Sequence, residues 1–216
     1  MTGLVNSRAK YIAILIISAV IFVPQIFSQE DPGFDSPTAP EINRVLGDQY
    51  LNIAIGMQIP LFIHNPSPES GEKAINPTNL RVGMSGTLGW AAFLNNNISL
   101  GLDLNAAYSG DLNRVGFFTV PITVNSSYFF RLSPVEIPLH LGLGMNIMRY
   151  KDITTLGMMV KAGASVYWNA IQDWSFGLNL MYWWQPEFYS GNGDIPGTNT
   201  RFGNFLEVTL SAMYNF

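Results

Sequence analysis

Two groups of residues in this chain have types that could do chemistry, and they sit in different kinds of sequence. The first is the run at His64, which is followed by Asn65, Pro66 and Ser67, with Glu69, Ser70 and Glu72 close behind. A histidine base, a serine nucleophile and an acid are the parts of an acyl-transfer site. That chemistry needs the base within hydrogen-bond reach of the nucleophile and a third group to orient it. A polar segment interrupted by two prolines gives no such rigidity, and it reads as an exposed loop. The second group is Arg81, Asp103, His140, Lys161 and Glu207, each standing alone in apolar sequence. These types can make ion pairs and hydrogen bonds. They do not form the His, Cys or carboxylate clusters at ligand spacing that a metal requires. The glycines alternate with apolar residues, as strand positions do, so no phosphate-cradling loop is present. The sequence therefore predicts no catalytic residue, no metal site and no cofactor.

The elements that must carry these residues are strands. Eight segments alternate with a period of two, the signature of a strand with one apolar face. They cover about 50–62, 80–94, 98–108, 116–130, 137–148, 156–168, 174–184 and 201 to the end. In the first, Leu51, Ile53, Ile55, Met57, Ile59 and Leu61 oppose Asn52, Ala54, Gly56 and Gln58; in the fifth, Leu139, Leu141, Leu143, Met145 and Ile147 oppose His140, Gly142, Gly144 and Asn146. Each segment has the ~9–11 residues that a tilted barrel strand needs to cross a bilayer. Linkers at 95–97, 131–136 and 169–173 are short, whereas 63–79 and 185–200 are long, the asymmetry of periplasmic turns and outer loops.

This phasing puts Arg81, Asp103, His140, Lys161 and Glu207 all on the small, polar phase and no charge on the apolar phase. A lipid-facing Lys or Arg at midplane costs about 2–4 kcal/mol, so that distribution is expected of a barrel in lipid. Inside a narrow lumen the charges must pair. Lys161 and Glu207 are predicted to meet at similar depth, with Asp103 beside them, as either a plug of ion pairs or a gate. Pro60, Pro121 and Pro138 share the inward phase and loosen the ladder locally.

Aromatic residues collect at the ends of the apolar phase. Trp90, Tyr128, Trp168 and Trp174 fall at one end, and Tyr182 and Trp184 at the other. Two girdles at opposite membrane interfaces are a lipid signature. A secreted lipocalin-like barrel, the alternative, would carry Lys, Glu and Thr on its water-facing phase. Here that phase is mostly Gly, Ala, Ser and Asn, which suits a lumen filled by side chains.

The amino terminus has the layout of a secretory signal peptide over 1–28: Arg8 and Lys10, an apolar stretch from Tyr11 to Val23, and a small residue at Ser28. That stretch is shorter than the ~20 residues of a spanning helix. Residues 29–48, acidic and proline-bearing, read as a flexible periplasmic lead, and 49–216 as one barrel domain. Charged residues make up only 12% of the chain, the net charge is −4, and there is no Cys. The negative balance argues against nucleic acid, whose phosphates call for basic patches. The missing thiols exclude disulfides.

With its eight phased segments and a last strand that runs through Leu210 and Tyr214 to a terminal Phe216, the chain resembles the small eight-stranded bacterial outer-membrane barrels (the OmpA transmembrane domain, OmpX and OmpW-like proteins). The resemblance covers roughly 50–216. It implies an all-β, eight-stranded antiparallel up-and-down transmembrane β-barrel, monomeric, in the outer membrane. It implies that Leu210, Tyr214 and Phe216 form a signal for the barrel-assembly machinery, and that outer-membrane lipid is a partner. It implies a non-enzymatic role, structural or surface-interacting, or a narrow channel for small or apolar solutes. Loops 63–79 and 185–200 are then the segments to meet an extracellular ligand. An outer-membrane lipid-modifying enzyme with a rim site at His64 is the competing reading. In OmpW-like and PagP-like barrels, loosened pairing of the kind Pro121 produces lets apolar molecules pass laterally.

Overall fold

The structure, a computed structural model, describes residues 44–68, 71–112, 115–150, 153–171, 173–187 and 201–216. The segment read as a signal peptide, and residues 29–43 of the lead, lie outside the described residues. The strands are β1 (Gln49–His64), β2 (Ile75–Asn76), β3 (Gly83–Phe93), β4 (Ile98–Gly110), β5 (Gly116–Leu132), β6 (Val135–Tyr150), β7 (Ile153–Ile171), β8 (Trp174–Glu187) and β9 (Arg201–Asn215). Apart from the two-residue β2, which pairs with the far end of β1, each strand pairs antiparallel with the next, and β9 returns to pair with β1. The result is a closed eight-stranded barrel with no free edge, a backbone solution that lipid accepts because every ladder is satisfied internally. Closure runs to the last residue: Phe216 and Gln49 exchange backbone hydrogen bonds of 3.0 and 3.1 Å.

The phase is as the alternation predicts. Ile53, Ile55, Leu88, Leu102, Leu104, Ile122, Leu141, Leu143, Leu178 and Leu210 face outward and are exposed. An apolar belt of that extent is not left to water, and a lipocalin-like barrel would hold these side chains inside. The bilayer is the solvent that fits. Trp90, Tyr128, Trp168, Trp174 and Tyr182 are exposed on the outer wall. Trp184 is half-buried, with its ring against Phe202.

The three inward prolines coincide with missing rungs or a shift in the ladder. In β4–β5 the rungs between Leu104↔Ile122 and Ala107↔Thr119, a stretch that includes Pro121, are missing while the register is kept. In β6–β7 the rungs between Glu136↔Tyr167 and Leu139↔Ala164, a stretch that includes Pro138, are missing in the same way. The β1–β9 register shifts between Pro60 and Phe62. A residue with no N–H cannot complete these rungs.

Termini and short turns share one end of the barrel, here the terminal end. Among the described residues, 65–68, 71–82 and 111–112 lie at the other, the loop end. Residues 44–48, which the sequence assigned to a flexible lead, fold onto the terminal end: Gly47 N–H donates to Phe93 and Phe93 N–H to Asp48.

Candidate functional site: a lumen closed at two levels

The lumen is stacked in three layers, each built from inward positions of several strands. At the terminal end lie Tyr50, Ala91, Phe93, Phe129, Tyr167 and Met213. Their rings are close, with centroids 5.1 Å apart for Phe93–Phe129 and 5.5 Å for Tyr50–Phe93. Arg44, which precedes β1, inserts its guanidinium 4.5 Å from the Phe93 centroid and 5.3 Å from that of Phe129. It also pairs with Glu136 at 2.8 Å. Arg131 pairs with the other oxygen of Glu136 at 3.0 Å and also donates to Asn96. The Arg44 backbone N–H donates to the same Asn96 side chain. Burial holds the Arg44 guanidinium below its ordinary pKa, and Glu136 acts in the opposite direction. Buried opposite charges over closely packed, tilted rings make a rigid seal.

The middle layer is polar, and it contains most of the charged set singled out in the sequence. Lys161, 2% exposed, donates to Asn105 at 2.7 Å and to Asp103 at 3.4 Å. Its ammonium also sits 5.7 Å from the Trp183 ring centroid. Two glycines make the room. A Cβ at Gly89 would fall 2.6 Å from the Asp103 carboxylate, and one at Gly142 would press on Lys161 at 3.4 Å. His140 bridges Ser127 and Ser165 through its two ring nitrogens, at 2.7 and 2.8 Å. Asn179, Thr209, Ser211 and Tyr167 continue the hydrogen bonding around the wall.

One expectation is met with a different direct partner, and one needs correction. Glu207 is buried in this layer and lines the same small void as Lys161 and Asp103; it accepts a hydrogen bond from the Trp183 indole at 3.2 Å, while the direct ion pair of Lys161 is with Asp103. The register explains this: Lys161 stands opposite Trp183, and Glu207 opposite Met181, one rung away. Arg81 is exposed and precedes β3. Its backbone N–H donates to Gly110 at the loop end. It keeps the inward parity of its neighbours, but the strand starts two residues later, so it does not reach the lumen.

Above the polar layer lie Ala107, Phe117, Met148, Met159, Met181, Trp183 and Phe205. Phe117 and Phe205 stack at 5.9 Å, and Trp183 and Met159 are fully buried. Between the two bulky layers the lumen holds small voids of about 30 and 20 Å³. Above the upper layer a cavity of about 350 Å³ opens at the loop end. The sequence reading did not find these bulky layers, nor Arg44 and Glu136. A signal was present: Phe93, Phe117, Phe129, Phe205, Met213 and Trp183 share parity with the small inward residues.

His64 is the last residue of β1, paired with Ile75, and its ring lies 5.5 Å from that of Phe202. Ser67 N–H donates to the Asn65 side chain, and Asn65 donates to Glu72 at 3.1 Å. Glu69 and Ser70 lie outside the described residues, as does the 185–200 loop beyond Glu187. Among the described residues no group of three or more His, Cys, Asp or Glu side chains is placed to hold a metal.

A family model that carries no functional description matches residues 29–214. An uncharacterized protein of Borreliella burgdorferi is 28% identical over 187 residues, covering 76% of this chain and 82% of that protein. An uncharacterized protein of Treponema pallidum is 35% identical over 141 residues, covering 63% of this chain and 64% of that protein, so this chain spans just under two thirds of its length. Among solved structures, Neisserial surface protein A superposes with a TM-score of 0.53 at 11% identity, covering 78% of this chain and 97% of that one. At that identity the likeness is one of fold, and the fold is that of the small eight-stranded outer-membrane barrels.

Proposed function

The chain belongs to the family whose model spans residues 29–214, and for this member we propose a non-enzymatic, monomeric outer-membrane barrel that keeps its lumen shut and works at its loop end. The observation that carries this reading is the pair of bulky layers across the lumen, with Phe93 and Phe129 below the Lys161 network and Trp183 and Met159 above it, each at most 1% exposed. A diffusion channel needs a continuous wet path, and two packed layers in series leave none. In this orientation the termini and short turns face the periplasm and the loops face outward. The last strand, through Leu210, Tyr214 and Phe216, is the segment for the barrel-assembly machinery to engage. The loops 63–79 and 185–200 are the ones to meet a ligand from outside.

Single-channel recording of the refolded protein in a planar bilayer tests the reading. The bilayer is expected to stay silent across the accessible voltage range. Discrete openings of the wild-type protein would refute a closed lumen and restore a channel role.

A further inference from the structure

The cavity at the loop end has the composition of a binding site. At about 350 Å³ it lies within the range of pockets that hold small molecules. Its wall is mostly apolar, from Ile63, Leu80, Phe117, Met148 and Phe205. Three of these also belong to the layer that contains Trp183, so the cavity ends on a packed floor.

Polar side chains stand among these, Thr78, Asn79 and Thr155 included. Asp111 is buried and accepts from the Tyr150 hydroxyl and the Val115 backbone N–H, both at 2.8 Å. Arg201 lines the same space. Among the described residues one acidic and one basic side chain line the cavity, which together favour a molecule without net charge. Gln185 also lines the cavity and is 1% exposed. Its amide Nε2 has no hydrogen-bond partner, and a buried donor left in that state costs about 1–3 kcal/mol. An apolar wall with one unsatisfied donor describes its complement.

We propose that this cavity binds a small neutral amphiphile, an apolar body bearing a single hydrogen-bond acceptor such as an alcohol, ester or amide, with the acceptor taken by Gln185 Nε2. The assignment rests on the reading of the loop end as the working end. Two sources offer this chemistry: a free solute arriving from outside, and a neutral lipid entering from the bilayer.

The test uses the refolded full barrel in phosphatidylcholine nanodiscs. The probe is a photoreactive diazirine analogue of decanol added from the aqueous side, with cross-links mapped by mass spectrometry. A parallel sample carries a diazirine diacylglycerol in the bilayer instead. The expected result is saturable labelling of the segments carrying Phe117, Met148 and Phe205 in one arm or both; the labelled arm names the source. Gln185→Leu should raise the half-saturation concentration about tenfold, the loss of one hydrogen bond. It should leave heat-modifiable migration unchanged, because it removes a donor that had no partner. Leu80→Trp, which fills the cavity from its wall, should abolish the labelling. Labelling confined to outward residues such as Ile122 and Leu143, rising without saturation and indifferent to both variants, would overturn the proposal. A silent bilayer in the conductance experiment together with that result would sink the binding site and leave the closed barrel standing. A conducting wild type would sink the closed barrel whatever the labelling.

Discussion

The two bulky layers of the lumen block the same passage by different physical means. The lower layer is rigid. Its rings meet at centroid distances of 5.1 to 6.0 Å, and Arg44, from outside the strands, is fixed over them by Glu136 and Asn96. The upper layer is soft. Met148, Met159 and Met181 are three of its seven members, and thioether side chains repack at little cost. Its outer side faces a cavity. The barrel is thus sealed from the terminal side by a fixed cluster and bounded on the loop side by an adaptable one. That asymmetry gives the molecule a working direction.

The largest effect should come from breaking the fixed side. Glu136→Leu leaves the buried Arg44 guanidinium and the half-buried Arg131 without their shared carboxylate. Removing one partner of a buried pair costs about 3–5 kcal/mol. Urea unfolding of the barrel in lipid vesicles reads that loss. Arg44→Leu should cost less, because Glu136 keeps Arg131 at 3.0 Å. Equal losses in the two variants would mean that Arg44 does not hold the terminal end.

Two barriers in series make a sharper forecast for conductance. Trp183→Ala thins the upper layer alone, and Arg44→Ala with Phe129→Ala thins the lower layer alone. Each should remain silent in a planar bilayer, and only the triple variant should conduct. Openings from Trp183→Ala by itself would show that the lower layer is no barrier, and the comparison between the layers would collapse.

How much of this was legible in the sequence follows from the range of each signal. Period-two alternation is local, so the eight strands and their phases could be read strand by strand, and Ile53 or Leu141 could be turned to lipid with no other information. The layers are not local. Phe93 and Phe129 come from strands separated by a third, and barrel stagger sets which inward residues share a height. Arg44 and Glu136 are 92 positions apart, and no spacing rule joins them. Parity also fails at strand ends: Arg81 has the right parity but stands before Gly83, where β3 begins. Parity also does not choose among partners at one depth: Asp103, Lys161 and Glu207 line one small void, and it is the register that brings Asp103 and Asn105 to the ammonium.

The middle layer, which belongs to neither barrier, should respond less than the terminal end. Lys161→Met and Asp103→Leu each strand a polar partner, but the double variant removes both charges together. A double-mutant cycle should therefore give a coupling of about 1–3 kcal/mol, with the double variant more stable than the sum of the single losses allows. A cycle of Lys161 with Glu207 should give a smaller coupling, since Glu207 is held by the Trp183 indole. If the two cycles were equal, the 3.4 Å pair would not be the interaction that fixes the lysine.

The smallest effect is expected at the residue whose type first suggested chemistry. His64 ends β1 against Phe202, on the loop side of the adaptable layer, so an enzyme built on this rim would have the substrate-facing location it needs. Location is not sufficient, because general-base catalysis needs the imidazole within hydrogen-bond reach of the group it deprotonates. The nearest described serine in sequence, Ser67, spends its backbone N–H on Asn65, and Asn65 is tied to Glu72. The acid of the set thus holds an asparagine and does not orient the histidine. His64 is half-buried at the strand end, and His64→Ala should shift stability by no more than about 1 kcal/mol, the usual scale of a substitution that opens no core cavity. It should leave phospholipid and lipid A composition unchanged by mass spectrometry of whole envelopes. A changed lipid profile with an intact fold would move the function from binding to catalysis, and the cavity beside the rim would then be read as a substrate site.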